Sequence, residues 1–144
     1  MNPIDPRILK FVSRHHVLTL ATCHKNEPYT ASCFYTWSND LQMFIFTSDP
    51  ETRHASYLKV QKRAAGTIAL ETKIIGKIRG IQFTGDVFEL ENNELEIGRK
   101  AYLKRFPYAI VMKTHFWGFS PDFIKMTDNR LGFGKKIIWE KTDF

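Results

Sequence analysis

The sequence predicts a mainly β fold: six or more antiparallel strands curled into a small closed or partly open barrel, with three short helices on its outside. Short runs rich in Val, Ile, Phe, Thr and Tyr recur along the chain, some alternating in polarity with a period of two and others apolar on both faces. Pro, Gly, Asn and Asp turn signals separate those runs, and helical periodicity is confined to three brief stretches. With 144 residues, 43% hydrophobic and 14% aromatic, the chain is long and apolar enough to bury one core without metals or disulfides, and a single domain over 1–144 is expected.

Asp5-Pro6 followed by Ile8, Leu9 and Val12 reads as an N-cap, a first-turn proline and an amphipathic helix to about His15. Val17 to His24 and Tyr29 to Ser38 then form a hairpin across Lys25-Asn26-Glu27-Pro28, and Asn39-Asp40 turns the chain into a third strand, Leu41 to Thr47, apolar on both faces. Asp49-Pro50-Glu51 reads as the start of a helix to about Gln61. Strand signals resume over Ala65 to Leu70 and Ile74 to Leu90, with glycines where a barrel strand bends or bulges. Asn93 with Glu96 has capping-box spacing for a helix that Pro107 ends, although Gly98 sits in its interior. The tail offers strands at His115 to Ser120, Phe123 to Thr127 and Lys135 to Glu140, with a turn at Asp128-Asn129.

A formal charge of +6 suits nucleic acid, an anionic cofactor or an acidic partner. The lysines and arginines are scattered through the elements and form no basic block or tail, which argues against nucleic acid. Met1 to Pro6 is polar, and no apolar run approaches the ~18 residues of a membrane span. The expectation is a cytoplasmic protein with no membrane partner, in which Cys23 and Cys33 stay reduced. Two thiols and the His24 imidazole lack a fourth ligand and the usual spacing, and His15-His16 point to opposite faces, so no metal site is read.

Chemistry concentrates in Phe44-Ile45-Phe46-Thr47-Ser48-Asp49-Pro50-Glu51-Thr52-Arg53-His54-Ala55. A buried strand ends in two hydroxyls, and after a short turn a helix opens with a hydroxyl, a guanidinium and an imidazole. Free N–H groups of a first helical turn beside an arginine favour a phosphate monoester. The same spacing also suits an N-capped surface helix, with Asp49 and Glu51 complementing the dipole, and at this level both readings stand.

The order strand, Thr, turn, Thr-Arg-His, helix resembles the phosphate-binding segment of the pyridoxamine phosphate oxidase-like FMN-binding split barrels. The resemblance runs from about Phe11 to Trp139 and is closest to the YhbP-like branch, on the strings Thr52 to Ala55, Arg79 to Phe83, Arg99 to Tyr102, Arg105 to Pro107 and Thr127 to Lys136. It implies an FMN-binding split barrel in which Thr47, Ser48, Thr52, Arg53 and His54 hold the flavin phosphate. Ser32, Cys33 and Phe34 would line the ring edge, and Arg79-Gly80 would lie near the ring. Ala31 replaces an arginine of the oxidases and His54 a lysine, and the turn before the triplet is one residue longer here. The resemblance further implies a homodimer with the flavin across its seam, and flavin-dependent oxidoreductase activity on a small molecule it does not name. The alternative is a flavin- or haem-binding split barrel for storage, sensing or degradation.

Overall fold

The computed structural model describes residues 2–142. Its seven strands are β1 (Val17–His24), β2 (Glu27–Ser38), β3 (Met43–Ser48), β4 (Arg63–Ala69), β5 (Arg79–Glu89), β6 (His115–Asp128) and β7 (Lys136–Glu140). They form one antiparallel sheet ordered β3-β2-β1-β4-β5-β6-β7, and a further pairing of β3 with β6 closes the first six into a barrel. The N-terminal half of β6 bonds to β3, and its C-terminal half leaves the barrel to carry β7. The expected split barrel with peripheral helices is therefore present.

Two helices close the barrel ends. α1 (Pro6–Arg14) begins at an Asp5 N-cap and buries Ile8, Phe11 and Val12 at the end where β1 starts and β4 finishes. α2 (Arg53–Val60) buries Ala55 and Leu58 at the other end. Between them lies an aromatic core in which Phe44 stacks on Phe83 at 4.5 Å, with Phe119 edge-on to Phe83. α3 (Asn92–Arg105) lies across the outside of β3, where Met43, Ile45, Leu90, Tyr102 and Phe116 form a second cluster. The two clusters explain why β3 is apolar on both faces.

Local departures from the sequence reading have physical causes. The first hairpin turns on Lys25 and Asn26 alone, both at positive φ, the geometry that matches strand twist in a two-residue loop. The expected strand from Ile74 begins only at Arg79, and Ile75–Lys77 is a 3-10 turn in which Ile75 and the flanking Ile74 and Ile78 are exposed. The tail strands expected at His115 and Phe123 are one strand. Pro121, which has no N–H to donate, sits where the register shifts beside Gly85, so the strand passes through a break that reads as a turn. The capping box at Asn93 is not formed: Glu91 is the N-cap of α3 and makes no side-chain cap bond. Gly98 in that helix is explained by packing, since a Cβ there would meet Leu90 Cδ1 at 2.5 Å.

Candidate functional site

The end of β3 and the start of α2 build the candidate site. Phe44 and Phe46 anchor the strand in the barrel, and the Trp117 indole N–H donates to the Ser48 carbonyl at 3.0 Å, fixing where the strand stops. Thr47 faces outward, with its Oγ1 3.4 Å from the Tyr102 hydroxyl. Ser48, on the opposite side of the strand, is buried and hydrogen-bonded through Oγ to His54 Nε2. Thr52 Oγ1 lies 3.3 Å from both Ser48 Oγ and His54 Nε2. These three side chains form a closed triangle, and burial holds the His54 imidazole below its ordinary 6.5.

The helix starts later than the sequence suggests, at Arg53, because Thr52 is its N-cap. The Thr52 hydroxyl accepts the Ala55 N–H at 3.3 Å and donates to the Asp49 carbonyl at 2.8 Å. Glu51 N–H goes to Asp49 Oδ1 and Thr52 N–H to the Asp49 carbonyl, which leaves the Arg53 and His54 amides as the unpaired donors of the first turn. The Arg53 side chain turns away from the triangle. Its guanidinium lies 4.9 Å from the Tyr29 ring centroid, and its Nε donates to the Tyr57 hydroxyl at 3.2 Å. Arg53 is exposed and free to approach a ligand from outside, whereas the hydroxyls of Ser48 and Thr52 are engaged within the fold.

Beside this corner runs β2, which pairs Tyr35 with Phe46. Ser32 and Phe34 face out of the barrel, Phe34 with 59% of its surface exposed and its ring 5.7 Å from that of Phe106. Cys33 between them points into the core, where burial pushes its thiol up to about 11, so its side chain is removed from any outer-face ligand. Cys23 and Cys33 are both free thiols.

Arg79 and Gly80 do not join this group within one chain. They begin β5, while Ser48 pairs with His115, whose Nδ1 lies 3.2 Å from Glu89 at the other end of that strand. The separation along β5 is roughly 30 Å at the usual strand rise. Gly80 has a packing reason instead: a Cβ there would lie 3.1 Å from the Ile68 carbonyl of β4.

The sequence reading missed three neighbours of the site. Tyr29 and Tyr57 cradle Arg53, and His115 stands beside Ser48. The local pattern around His115 carries no signal, because its partners Glu89 and Ser48 are distant in the chain. Among the described residues no group of three or more metal-ligating side chains gathers, and no helix is long and apolar enough to cross a membrane.

What the barrel and its helix-capped corner define is a split-barrel protein. The chain superposes on a haem-binding protein of Mycobacterium smegmatis with a TM-score of 0.77 at 16% identity, over 97% of this chain and 59% of that one. It superposes on an FAD-binding protein of Mesorhizobium loti with a TM-score of 0.69 at 13% identity, over 85% and 94% respectively. No protein-family model matches the chain. Whole-length relatives nevertheless assign it: a UPF0306 protein of Photorhabdus laumondii is 42% identical over 134 residues, 93% of this chain and 94% of that protein. The UPF0306 protein YhbP of Salmonella arizonae is 40% identical over 132 residues, covering 92% and 90%. The chain belongs to the UPF0306 family of YhbP-like proteins.

Proposed function

We propose that this protein binds FMN and acts as a flavin-dependent oxidoreductase, with its phosphate site at the β3–α2 corner. The observation that carries the reading is the opening of α2, where two unpaired backbone N–H groups point out of the first turn beside the exposed Arg53 guanidinium. Ser32 and Phe34 offer a polar and an aromatic contact alongside, on an outward strand face that suits a flat ring. The fold is shared with a protein described as FAD-binding. The cofactor would supply the redox chemistry, and the chain would anchor its phosphate and shape its surroundings. Thr47, bonded to Tyr102, and the Ser48–Thr52–His54 triangle hold the corner in shape and present the two amides.

A homodimer is part of the same proposal. The outer face of β1, β2 and β4 carries a shallow hollow lined mainly by small residues, Thr19, Ala21, Thr30, Ala65 and Thr67, with Gln82 of β5 and Phe123 of β6 at its border and no charged side chain in its lining. Exposed apolar side chains continue that face, with Val17 paired to Phe34 across β1 and β2.

One observation favours haem as a second reading. His115 is held through Nδ1 by Glu89 at 3.2 Å, which leaves Nε2 free in the manner of a carboxylate-oriented metal-ligating histidine. The M. smegmatis protein of the same fold is described as haem-binding.

Titrating the purified chain separately with FMN and with haem, followed by absorbance, decides between them. FMN binding should weaken about tenfold or more in Arg53→Ala, the usual consequence of losing a charged hydrogen bond. Undiminished affinity in that variant removes the phosphate assignment. A Soret band abolished by His115→Ala, with no flavin uptake, selects haem.

A further inference from the structure

The barrel end closed by α1, opposite the α2 corner, holds a second pocket of about 390 Å³ between α1, the start of β5 and the end of β6. Its floor is apolar, formed by Phe11, Leu70 and Met126. Its walls carry Arg7, Lys10, Arg14, Arg79 and Arg130 against a single carboxylate, Asp128.

Two of these cations already have partners. Arg7 pairs with Asp5 at 2.8 Å. Arg130 takes both oxygens of Asp128, with Nε 3.1 Å from Oδ1 and Nη2 2.9 Å from Oδ2, and its amide N–H also reaches Oδ1 at 3.0 Å. Arg79 stands directly across the ladder from Asp128 yet makes no ion pair with it. Its Nε is buried with no hydrogen-bond partner, the one such buried side-chain N or O among the described residues. A donor left unmatched in this way costs free energy unless something supplies an acceptor.

Lys10 and Arg14 are likewise without an ion pair among the described residues, and they stand four apart on one face of α1. Like charges at that spacing weaken a helix, and an anion between them reverses the penalty. His15, also lining the pocket, reports the same field. Burial first, then the charges of Arg79, His16 and Arg105, hold its imidazole below the ordinary 6.5.

We propose that this pocket is an anion site, binding a small molecule that joins a phosphate group to an apolar body. Arg79 meets the phosphate from below, and Lys10 and Arg14 close over it from α1. Three uncompensated cations match a dianion, and arginine's planar fork suits phosphate oxygens. The pocket is larger than a phosphate alone requires, and its apolar floor faces the remaining space. The proposal does not rest on the flavin reading, whose phosphate corner lies at the other end of the barrel.

The test uses the whole chain with inorganic phosphate as the probe, read by calorimetric titration and by the unfolding midpoint, against sodium chloride at equal ionic strength. Phosphate should bind saturably and raise the midpoint where chloride does not. Arg79→Met and, separately, Arg14→Gln should each weaken it about tenfold or more. The titrations are made in the Arg53→Ala background, so that phosphate held at the α2 corner does not contribute. Arg14 is an exposed helical residue, so its variant keeps the test decisive if Arg79→Met fails to fold. Phenyl phosphate should bind more tightly than inorganic phosphate, and equal affinities overturn the apolar part of the assignment. A phosphate effect no larger than chloride's in that background overturns the site, as does one that survives Arg14→Gln there.

Discussion

Ser48 and His54 are hydrogen-bonded to each other, Oγ to Nε2, across the turn that carries the chain from β3 into α2. The bond ties the strand end to the helix start, and it engages the imidazole Nε2 within the fold.

Burial makes that imidazole reluctant to take a proton, and His15 shares the same direction. A folded-state value below the unfolded 6.5 means that the unfolded chain binds the proton more readily. The associated stability is complete above the unfolded value and is lost as pH falls through the folded one. Unfolding midpoints measured from about pH 8 down to about pH 5 should therefore drop on the acid side. His54→Gln, which keeps a polar partner for Ser48 but cannot titrate, should reduce the slope, and the double variant with His15→Gln should reduce it further. Unaltered slopes would mean that neither imidazole is held neutral by the fold.

Arg105 clasps α1 to the barrel. Its Nη1 donates to the Tyr35 carbonyl at 3.1 Å and its Nη2 to the Ser13 carbonyl at 3.1 Å and to the His15 carbonyl. Removing it strands two acceptors at the end of α1 and one on β2, a loss of about 3 kcal/mol. Arg105→Ala should lower stability by that order and speed amide exchange in α1 more than in α2. Arg105→Lys should recover only part, because one ammonium cannot span the fork.

Gly85 lies where β5 and β6 slip register, and a Cβ there would stand 2.1 Å from the Ser120 carbonyl oxygen. The obstacle is backbone, which cannot swing aside as a side-chain end can. Gly85→Ala should destabilise by about 3 kcal/mol or fail to fold, at the upper end of overpacking costs. Denaturant unfolding measures it, and a neutral result would show that the two strands separate easily at this point.

The first three strands were legible because their chemistry is local. Lys25-Asn26 turns the hairpin, and the alternation through Tyr35 and Trp37 marks which face of β2 is buried. Pro121 hid the continuity of β6, since its meaning depends on Gly85 on another strand. The strand-to-helix junction after β3 was legible, but the division of labour among its side chains was not. Thr52 reads equally as ligand donor or cap, and only the position of Ala55 N–H decides that it caps. Arg105 resembles a solvated helix charge because the carbonyls it binds belong to α1 and β2. Arg79, which the resemblance sets near a flavin ring, lies within one chain in the pocket under α1.

The dual pairing of β6 also governs the order of assembly. The barrel closes only when Phe44 to Ser48 meet His115 to Phe119, segments far apart in the chain. During synthesis the β1–β2–β3 meander therefore emerges with one flank open and waits for the segment from His115 to Phe119 before that flank is covered. Topologies of this kind fold slowly and expose sticky strand borders in the interval. A ribosome stalled ahead of His115 would release a nascent chain prone to clumping, with the helix-lidded core still unsealed.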